Sequence, residues 1–435
     1  MASEPAWTEV QISDVGRVVT GRTPASSVAN AYGSTIPFIT PTDLDGRKVI
    51  RETLRSLSPE GLSAVRGATV PAGAVLVSCI GSDMGKAAVA GSQCVTNQQI
   101  NSVLVCDRFD REFIYYNLLG RKAELRQLAS GAAQPILNKS RFSEVRLSVP
   151  SLTEQRRISS VLSALDDRID HNHTLAANLE AIARALFKSW FVDFDPVRAK
   201  AAGEAPPGFA PDIAALFPDR FVDSELGEIP EGWSMRTIAD LAEVVGGSTP
   251  STRNDDYWID GQHYWATPKD LAALSSPVLL GTERKVTDAG LDQISSGLLP
   301  PGTVLLSSRA PIGYLAIAAV PVAINQGFIA MKPKVGVSNL YLLYWAETSH
   351  EAIVANANGS TFLEISKKNF RPIHAIDPGA DVMAAFDSVV SPMFERIVCA
   401  EKEIATLTEL RDLLLPRLIS GKLRVEDAEA VLEAA

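Results

Sequence analysis

Groups able to do chemistry unaided are scarce in this sequence. Its 435 residues include four cysteines (Cys79, Cys94, Cys106 and Cys399) and five histidines. No two cysteines form a C-x-x-C pair, so neither a zinc ribbon nor a disulfide framework is expected. His171 and His173 stand two apart, which points them to different faces of a helix and out to solvent. The phosphate-cradling G-x-x-x-x-G-K-[ST] loop is missing, as are G-x-G-x-x-G, H-E-x-x-H, G-x-S-x-G and an Asn-Pro-Pro-aromatic tetrapeptide. These absences speak against an ATPase, a dinucleotide enzyme, a zinc protease, a serine hydrolase and an amino-methyltransferase that grips a flipped base. No residue is assigned a catalytic or metal-binding role.

Long apolar runs are lacking too. The best, residues 313–322, is interrupted by Pro321 and falls far short of the ~20 residues a membrane span needs. The opening residues, MASEPAWTEV, show no basic or apolar leader region, and a reducing cytoplasm is the expected compartment. Basic charge is not in excess: the net charge is −10, which argues against a free-standing basic nucleic-acid binder. The acidity is local, however. Residues 201–232 hold one base and seven acids, whereas residues 1–150 are net +3 and residues 233–378 net −2. Two near-neutral blocks can each present a local basic face. Their weak field implies weak non-specific DNA affinity, so a DNA-binding role would need help from a partner.

What the sequence does contain is itself, written twice. Gly21-Arg22-Thr23-Pro24 recurs as Gly247-Ser248-Thr249-Pro250. Thr40-Pro41-Thr42-Asp43-Leu44 recurs as Thr267-Pro268-Lys269-Asp270-Leu271. Pro71-Ala72-Gly73 and the apolar run after it recur as Pro300-Pro301-Gly302, and Asn97-Gln98 as Asn325-Gln326. The offset stays within 226–229 residues, far too long for a solenoid period, and implies a duplicated domain. Residues 74–79, 87–90 and 102–106 read as strands, as do 303–308, 314–319 and 328–331. Residues 113–129 and 340–354 have helical spacing. Each copy is thus expected to be a compact mixed α/β domain with several strand-to-loop exits.

A long helix should follow each copy. Ser151 and Glu154 have capping-box spacing. Beyond them Ile158, Leu162, Leu165, Ile169, Asn172, Ala176, Leu179, Ala183, Leu186 and Trp190 keep a 4-3 rhythm. Adding 228 gives Phe386, Val390, Met393, Ile397, Ala400, Ile404, Leu407, Arg411, Leu414 and Leu418, the same seam with one polar exception. The two helices are expected to pair antiparallel, as a coiled coil related by a pseudo-two-fold. Residues 158–190 would span about 50 Å at 1.5 Å per residue. Ordinary bundle helices packed on one core are the alternative. Asn172 would fix register or mark a wet spot on the seam. Pro416 is expected to kink or end the second helix. Residues 196–232, Pro-rich and acidic, read as an extended connector with a short helix at 213–217.

Several stretches have a familiar form. Val149-Pro150-Ser151-Leu152-Thr153-Glu154-Gln155-Arg156-Arg157-Ile158, Leu165-Asp166-Asp167-Arg168-Ile169 and Leu186-Phe187-Lys188-Ser189-Trp190-Phe191-Val192-Asp193-Phe194 closely resemble the central region of specificity subunits of type I restriction–modification systems. The connector, around Ser224-Glu225-Leu226-Gly227-Glu228-Ile229-Pro230, and the stretch Leu414-Leu415-Pro416-Arg417-Leu418 resemble the same family. The likeness covers nearly the whole chain. It implies a target-recognition domain at 1–150, a spacer helix at 151–195, the connector at 196–232, a second recognition domain at 233–378, and a second spacer helix and tail at 379–435. Each recognition domain would read one half of a split, asymmetric site on double-stranded DNA. The helix pair would set the gap and dock two modification (methyltransferase) subunits. Those subunits would carry S-adenosylmethionine and adenine-N6 methylation, and restriction subunits would use ATP and Mg2+. This chain itself would be non-catalytic and carry no cofactor. Two departures bear on symmetry. Residues 307–313 fit the family's loop with Arg309, but its counterpart at 78–86 carries Lys86 instead. The second helix lacks the Glu-Gln-Arg-Arg of 154–157.

DNA contacts are sought among Arg, Lys, amides and hydroxyls at strand exits. In the first copy these are Arg22, Thr23, Ser82, Lys86, Asn97, Gln98, Gln99, Gln134, Asn138, Lys139 and Arg141. In the second they are Thr249, Lys269, Arg309, Tyr314, Asn325, Gln326, Ser360, Thr361, Lys367, Lys368 and Asn369. Residues that read different bases should differ between copies. Lys86, Gln99, Gln134, Lys139, Arg309, Tyr314, Lys367 and Lys368 therefore rank first for base contact. The matched pairs suit phosphate positioning or turn scaffolding, with Asn97 and Asn325 as turn caps. Competing functional readings are a single-chain DNA methyltransferase or nuclease, an assembly protein whose domains bind protein, and the specificity subunit of a related enzyme cutting on both sides of its site.

Overall fold

The computed structural model describes residues 7–129, 136–224, 227–359 and 363–434. The chain divides into two compact units, Met1–Asp170 with Ala405–Ala435, and His171–Ile404.

In the first unit a five-stranded sheet runs in the order Gly16–Thr20, Ile100–Val105, Val75–Ser78, Ala87–Ala90, Val49–Ile50. It is antiparallel except for the last pair. Strand Val75–Ser78 is buried along its whole length, because both faces of the sheet are covered. Side chains alternate across a strand. Val75 and Val77 join the core under helix Arg111–Leu119, whereas Leu76 faces a second core with Ile39, Val70 and Ala88. The second sheet, Tyr32–Gly33, Ser56–Leu57, Ile36–Ile39, Cys94–Thr96, Thr69–Val70, lies beyond that core. Its outer face carries a small cluster of its own with Phe38, Leu57 and Val95.

The second unit repeats this plan. Its five-stranded sheet runs Ala242–Val245, Phe328–Pro333, Val304–Ser308, Ile312–Ala318, Val278–Leu279, beside a three-stranded sheet Arg284–Val286, His263–Ala266, Val322–Ile324. Val304 and Leu306 enter the large core and Leu305 the core between the sheets. The mixed α/β duplication expected from the sequence is thus observed. Each expected helix after the strands is split: Arg111–Leu119 and Lys122–Leu128 in one copy, Asn339–Thr348 and His350–Ala355 in the other.

Two 40-residue helices, Leu152–Phe191 and Ala380–Ile419, complete the units. In the first unit, Ile158, Leu162 and Leu165 share a core with Leu414 and Leu418. Lys48 Nζ reaches this helix, donating to Ser163 at 2.9 Å and pairing with Glu112 at 2.9 Å. Burial alone would raise the Glu112 pKa, but Lys48 and Arg111 outweigh it and hold the carboxyl below its ordinary value. In the second unit, Ala176 clusters with Ile397, and the Phe187 and Phe386 rings lie 6.0 Å apart. Contacts that descend one helix as they ascend the other define an antiparallel pair. Asn172 is fully buried, and among the described residues neither amide atom has a protein hydrogen-bond partner.

Two expectations need correction. The second helix does not end at Pro416: it continues unbroken past Pro392 and Pro416 to Ile419. Both prolines are exposed, which is where the hydrogen bond a proline removes from a helix costs least, because solvent can replace it. The connector is not extended. It forms helices Asp195–Ala201 and Pro211–Ala215 and a hairpin, Phe221–Ser224 with Gly227–Pro230. Pro196 and Pro211 sit in the first turns of those helices, where a missing N–H costs nothing. Val197 and Phe217 bury in the large core, with Trp190 5.2 Å from Phe209 and 5.1 Å from Phe217. No described helix is long and apolar enough to cross a membrane.

Candidate nucleic-acid interface

Sheet topology gathers the candidate residues at one rim of each unit. In the first, strand Gly16–Thr20 ends, Val75–Ser78 ends, and Ala87–Ala90 and Ile100–Val105 begin at the same edge. The loops at 21–23, 79–86 and 97–99 therefore lie together. Leu137 N–H donates to the Cys79 carbonyl, which adds Asn138 and Lys139 to the rim. In the second unit, the corresponding ends bring together 246–249, 309–314 and 325–327. Ile365 N–H bonds the Ser308 carbonyl, which brings in Lys367, Lys368 and Asn369.

The matched residues hold the rim's frame. A Cβ on Gly21 would lie 2.0 Å from the Asn97 carbonyl oxygen, and one on Gly247 only 1.8 Å from that of Ile324. Only glycine lets these segments approach. The threonine two residues on then donates to a glutamine, Thr23 to Gln98 at 2.6 Å and Thr249 to Gln326. Asn97 Oδ1 accepts from Gln99 N–H at 3.1 Å and Asn325 Oδ1 from Gly327 N–H at 2.8 Å, so each asparagine closes a turn. Asn138 and Asn369 are also spent internally, on Arg141 N–H and on the Asn356 carbonyl. Gly247→Ala should force the carbonyl away and cost about 1–3 kcal/mol, as overpacking does. Thermal unfolding checks this; a midpoint equal to the parent's would sink it.

The residues that differ between copies are held less tightly. Lys86 pairs with Asp83 at 2.8 Å, and Arg309 with Glu364 at 3.6 Å, both half-exposed. Lys139, Lys367 and Lys368 are exposed, as are Arg22, Ser82 and Arg141. Gln99 accepts from Asn97 Nδ2 at 3.0 Å, and Tyr314 is half-buried beside Ser307. Lys269 stands on the second sheet's loop and pairs with Glu283 at 2.7 Å, which raises its pKa. Gln134, Ser360 and Thr361 lie outside the described residues.

Two arginines escaped the sequence reading, Arg55 and Arg284. Arg55 immediately precedes strand Ser56–Leu57 and Arg284 opens the edge strand Arg284–Val286, each in the second sheet and opposite Phe38 and Trp265 respectively. The signal was present: Thr53-Leu54-Arg55 and Thr282-Glu283-Arg284 share the offset of 229.

A mixed α/β unit that offers a rim of amide, hydroxyl and basic groups, built twice in one chain on a helix pair, defines a duplicated recognition-domain protein. Residues 5–181 and 230–374 match the family described as the type I restriction modification DNA specificity domain, and the chain belongs to that family. It is 26% identical to the type I restriction enzyme MjaIX specificity subunit of Methanocaldococcus jannaschii, over 97% of this chain and 94% of that protein. It is 29% identical to the HindI specificity subunit of Haemophilus influenzae, over 66% of this chain and 71% of that one. The fold is similar to that of a type I restriction–modification S subunit from M. genitalium, with a TM-score of 0.60, 15% identity and coverage of 96% and 97%. The family resemblance carried by residues 149–194 is thereby confirmed.

Proposed function

We propose that this chain is the non-catalytic DNA-specificity subunit of a type I restriction–modification complex. Each rim reads one half of a bipartite, asymmetric site on double-stranded DNA. The helix pair fixes the gap and docks two modification subunits. These supply S-adenosylmethionine and methylate adenine N6, while ATP- and Mg2+-dependent restriction subunits cut. The observation that carries the reading is the duplicated rim, in which framing residues match while other groups at the same strand exits differ, as where Lys86 in one copy is Tyr314 in the other. That is what two half-sites of different sequence require, because phosphate contacts position and base contacts specify.

The test is a genome-wide N6-methyladenine map of the host with this gene intact and deleted. One split motif should disappear on deletion; an unchanged map would refute the reading. In the same assay Arg309→Ala should weaken one half-site only, by the ~1–3 kcal/mol that a good base contact supplies.

A further inference from the structure

The repeated Thr-Pro-x-Asp motif forms no part of the rim's hydrogen-bonded frame, yet both copies spend it in one way. Asp43 Oδ2 accepts from the Thr40 N–H and hydroxyl, each at 2.8 Å, and its Oδ1 accepts from Leu54 N–H at 2.9 Å. Asp270 Oδ2 accepts from the Thr267 N–H and hydroxyl, each at 2.7 Å, and its Oδ1 from Glu283 N–H at 2.8 Å. One residue back, Thr53 donates to the Arg55 carbonyl at 2.7 Å and Thr282 to the Arg284 carbonyl at 2.6 Å. The motif therefore braces a short loop, and the residue that loop delivers is an arginine in each copy.

Both arginines lie over aromatic rings. Arg55 lies 5.3 Å from the Tyr32 ring centroid and 5.7 Å from that of Phe38. Arg284 lies 3.7 Å from Trp258 and 5.4 Å from Trp265. A guanidinium held over an aromatic face has given up part of its freedom before it binds and still has its N–H donors to offer. Both residues are exposed, and among the described residues neither guanidinium has a hydrogen bond or ion pair in the structure. The chain has ordered two cations and left their donors free. The loop tips beside them differ, with exposed Leu54 in one copy and the Lys269–Glu283 pair in the other, but the arginines do not.

We infer that Arg55 and Arg284 are phosphate clamps, one in each recognition domain, that seat the DNA backbone against the second sheet. Matched residues in domains reading different half-sites carry position, not sequence. A planar fork matches two phosphate oxygens. The inference rests on the DNA-recognition reading above. The competing role is structural: each arginine's stem covers a small apolar cluster, Phe38 with Leu57 or Trp265 with Val286.

Arg55→Gln and Arg284→Gln keep most of the stem and remove the charge. The full chain, with a modification subunit co-purified from the same host, is titrated into a random-sequence duplex pool across a salt series, and the bound duplexes are sequenced. Each single variant should bind about tenfold more weakly. Each should lower the log–log salt slope by about 0.9, and the double variant by about twice that. The split motif enriched from the pool should be unchanged. Arg55→Lys should restore the slope. A parent-like slope in both Gln variants, with or without a lower melting temperature, would overturn the clamps and leave the cover role. A changed motif would also overturn them, by making these residues base readers. If the parent chain enriches no split motif, the DNA-recognition reading fails and the clamps with it.

Discussion

Phe386→Ala is expected to lower the unfolding free energy of residues 171–404 by about 3–5 kcal/mol, the usual cost of deleting a fully buried phenylalanine. Phe386 has no exposed surface. Its ring lies 5.1 Å from Phe191, 5.7 Å from Trp190 and 6.0 Å from Phe187, all edge-to-face. Such pairs add to the area term, so the estimate belongs at its upper end. The cluster is where the first long helix, the second long helix and the connector meet. Trp190 passes it on to Phe209 and Phe217, and Phe191 to Trp233. Hydrogen exchange should accelerate in 171–191, 209–233 and 380–404 and stay slow in the strands of the first unit. A loss under ~1 kcal/mol, or faster exchange spread over both units, would refute this account. On the functional reading, the variant should keep both rims and lose the fixed gap, so methylation at the split motif should fall.

How much of this was legible depends on which signal each residue carried. The duplication was plain because glycine and proline mark turns that cannot drift, and Gly21 and Gly247 are held by the same close approach to a carbonyl. The seam positions were plain because burial imposes a helical period, and Ile158, Leu162, Val390 and Ile397 are all buried. The connector was misread because its composition was weighed without its aromatics. Proline and acid suggested an open chain, but Phe209, Phe217, Phe221 and Trp233 need a core, and Trp190 and Phe191 provide one. Arg55 and Arg284 were missed for another reason. Their rings come from different residue types at different spacings, so no single motif spans the contact. Only the shared brace, read in three dimensions, singles them out.

Asp166→Ala should cost the first unit up to about 3–5 kcal/mol, by removing the buried acceptor that Tyr116 and Arg411 share and leaving Arg411 only the exposed Asp412. The carboxylate accepts from the Tyr116 hydroxyl at 2.6 Å and from Arg411 Nη1 at 3.0 Å. Its side chain is 5% exposed and that of Arg411 17%. Burial and the facing carboxylate push the Tyr116 phenol far above its ordinary pKa, so it remains a donor at any physiological pH. The second unit shows what the pair is worth. At the 228-residue offset Tyr116 becomes Tyr344, Asp166 becomes Phe394, and Arg411 becomes Ala183. There the helices meet without the ion pair, and among the described residues the buried Tyr344 hydroxyl has no hydrogen-bond partner. Ion pairs of this kind are costly to break and cheap to replace. The double variant Asp166→Leu with Arg411→Met should therefore recover most of the stability that Asp166→Ala loses. Denaturant titration of both, with hydrogen exchange on 152–170 and 405–419, decides the point. A double variant as unstable as the single one would mean that the pair supplies net stability that apolar contact cannot match.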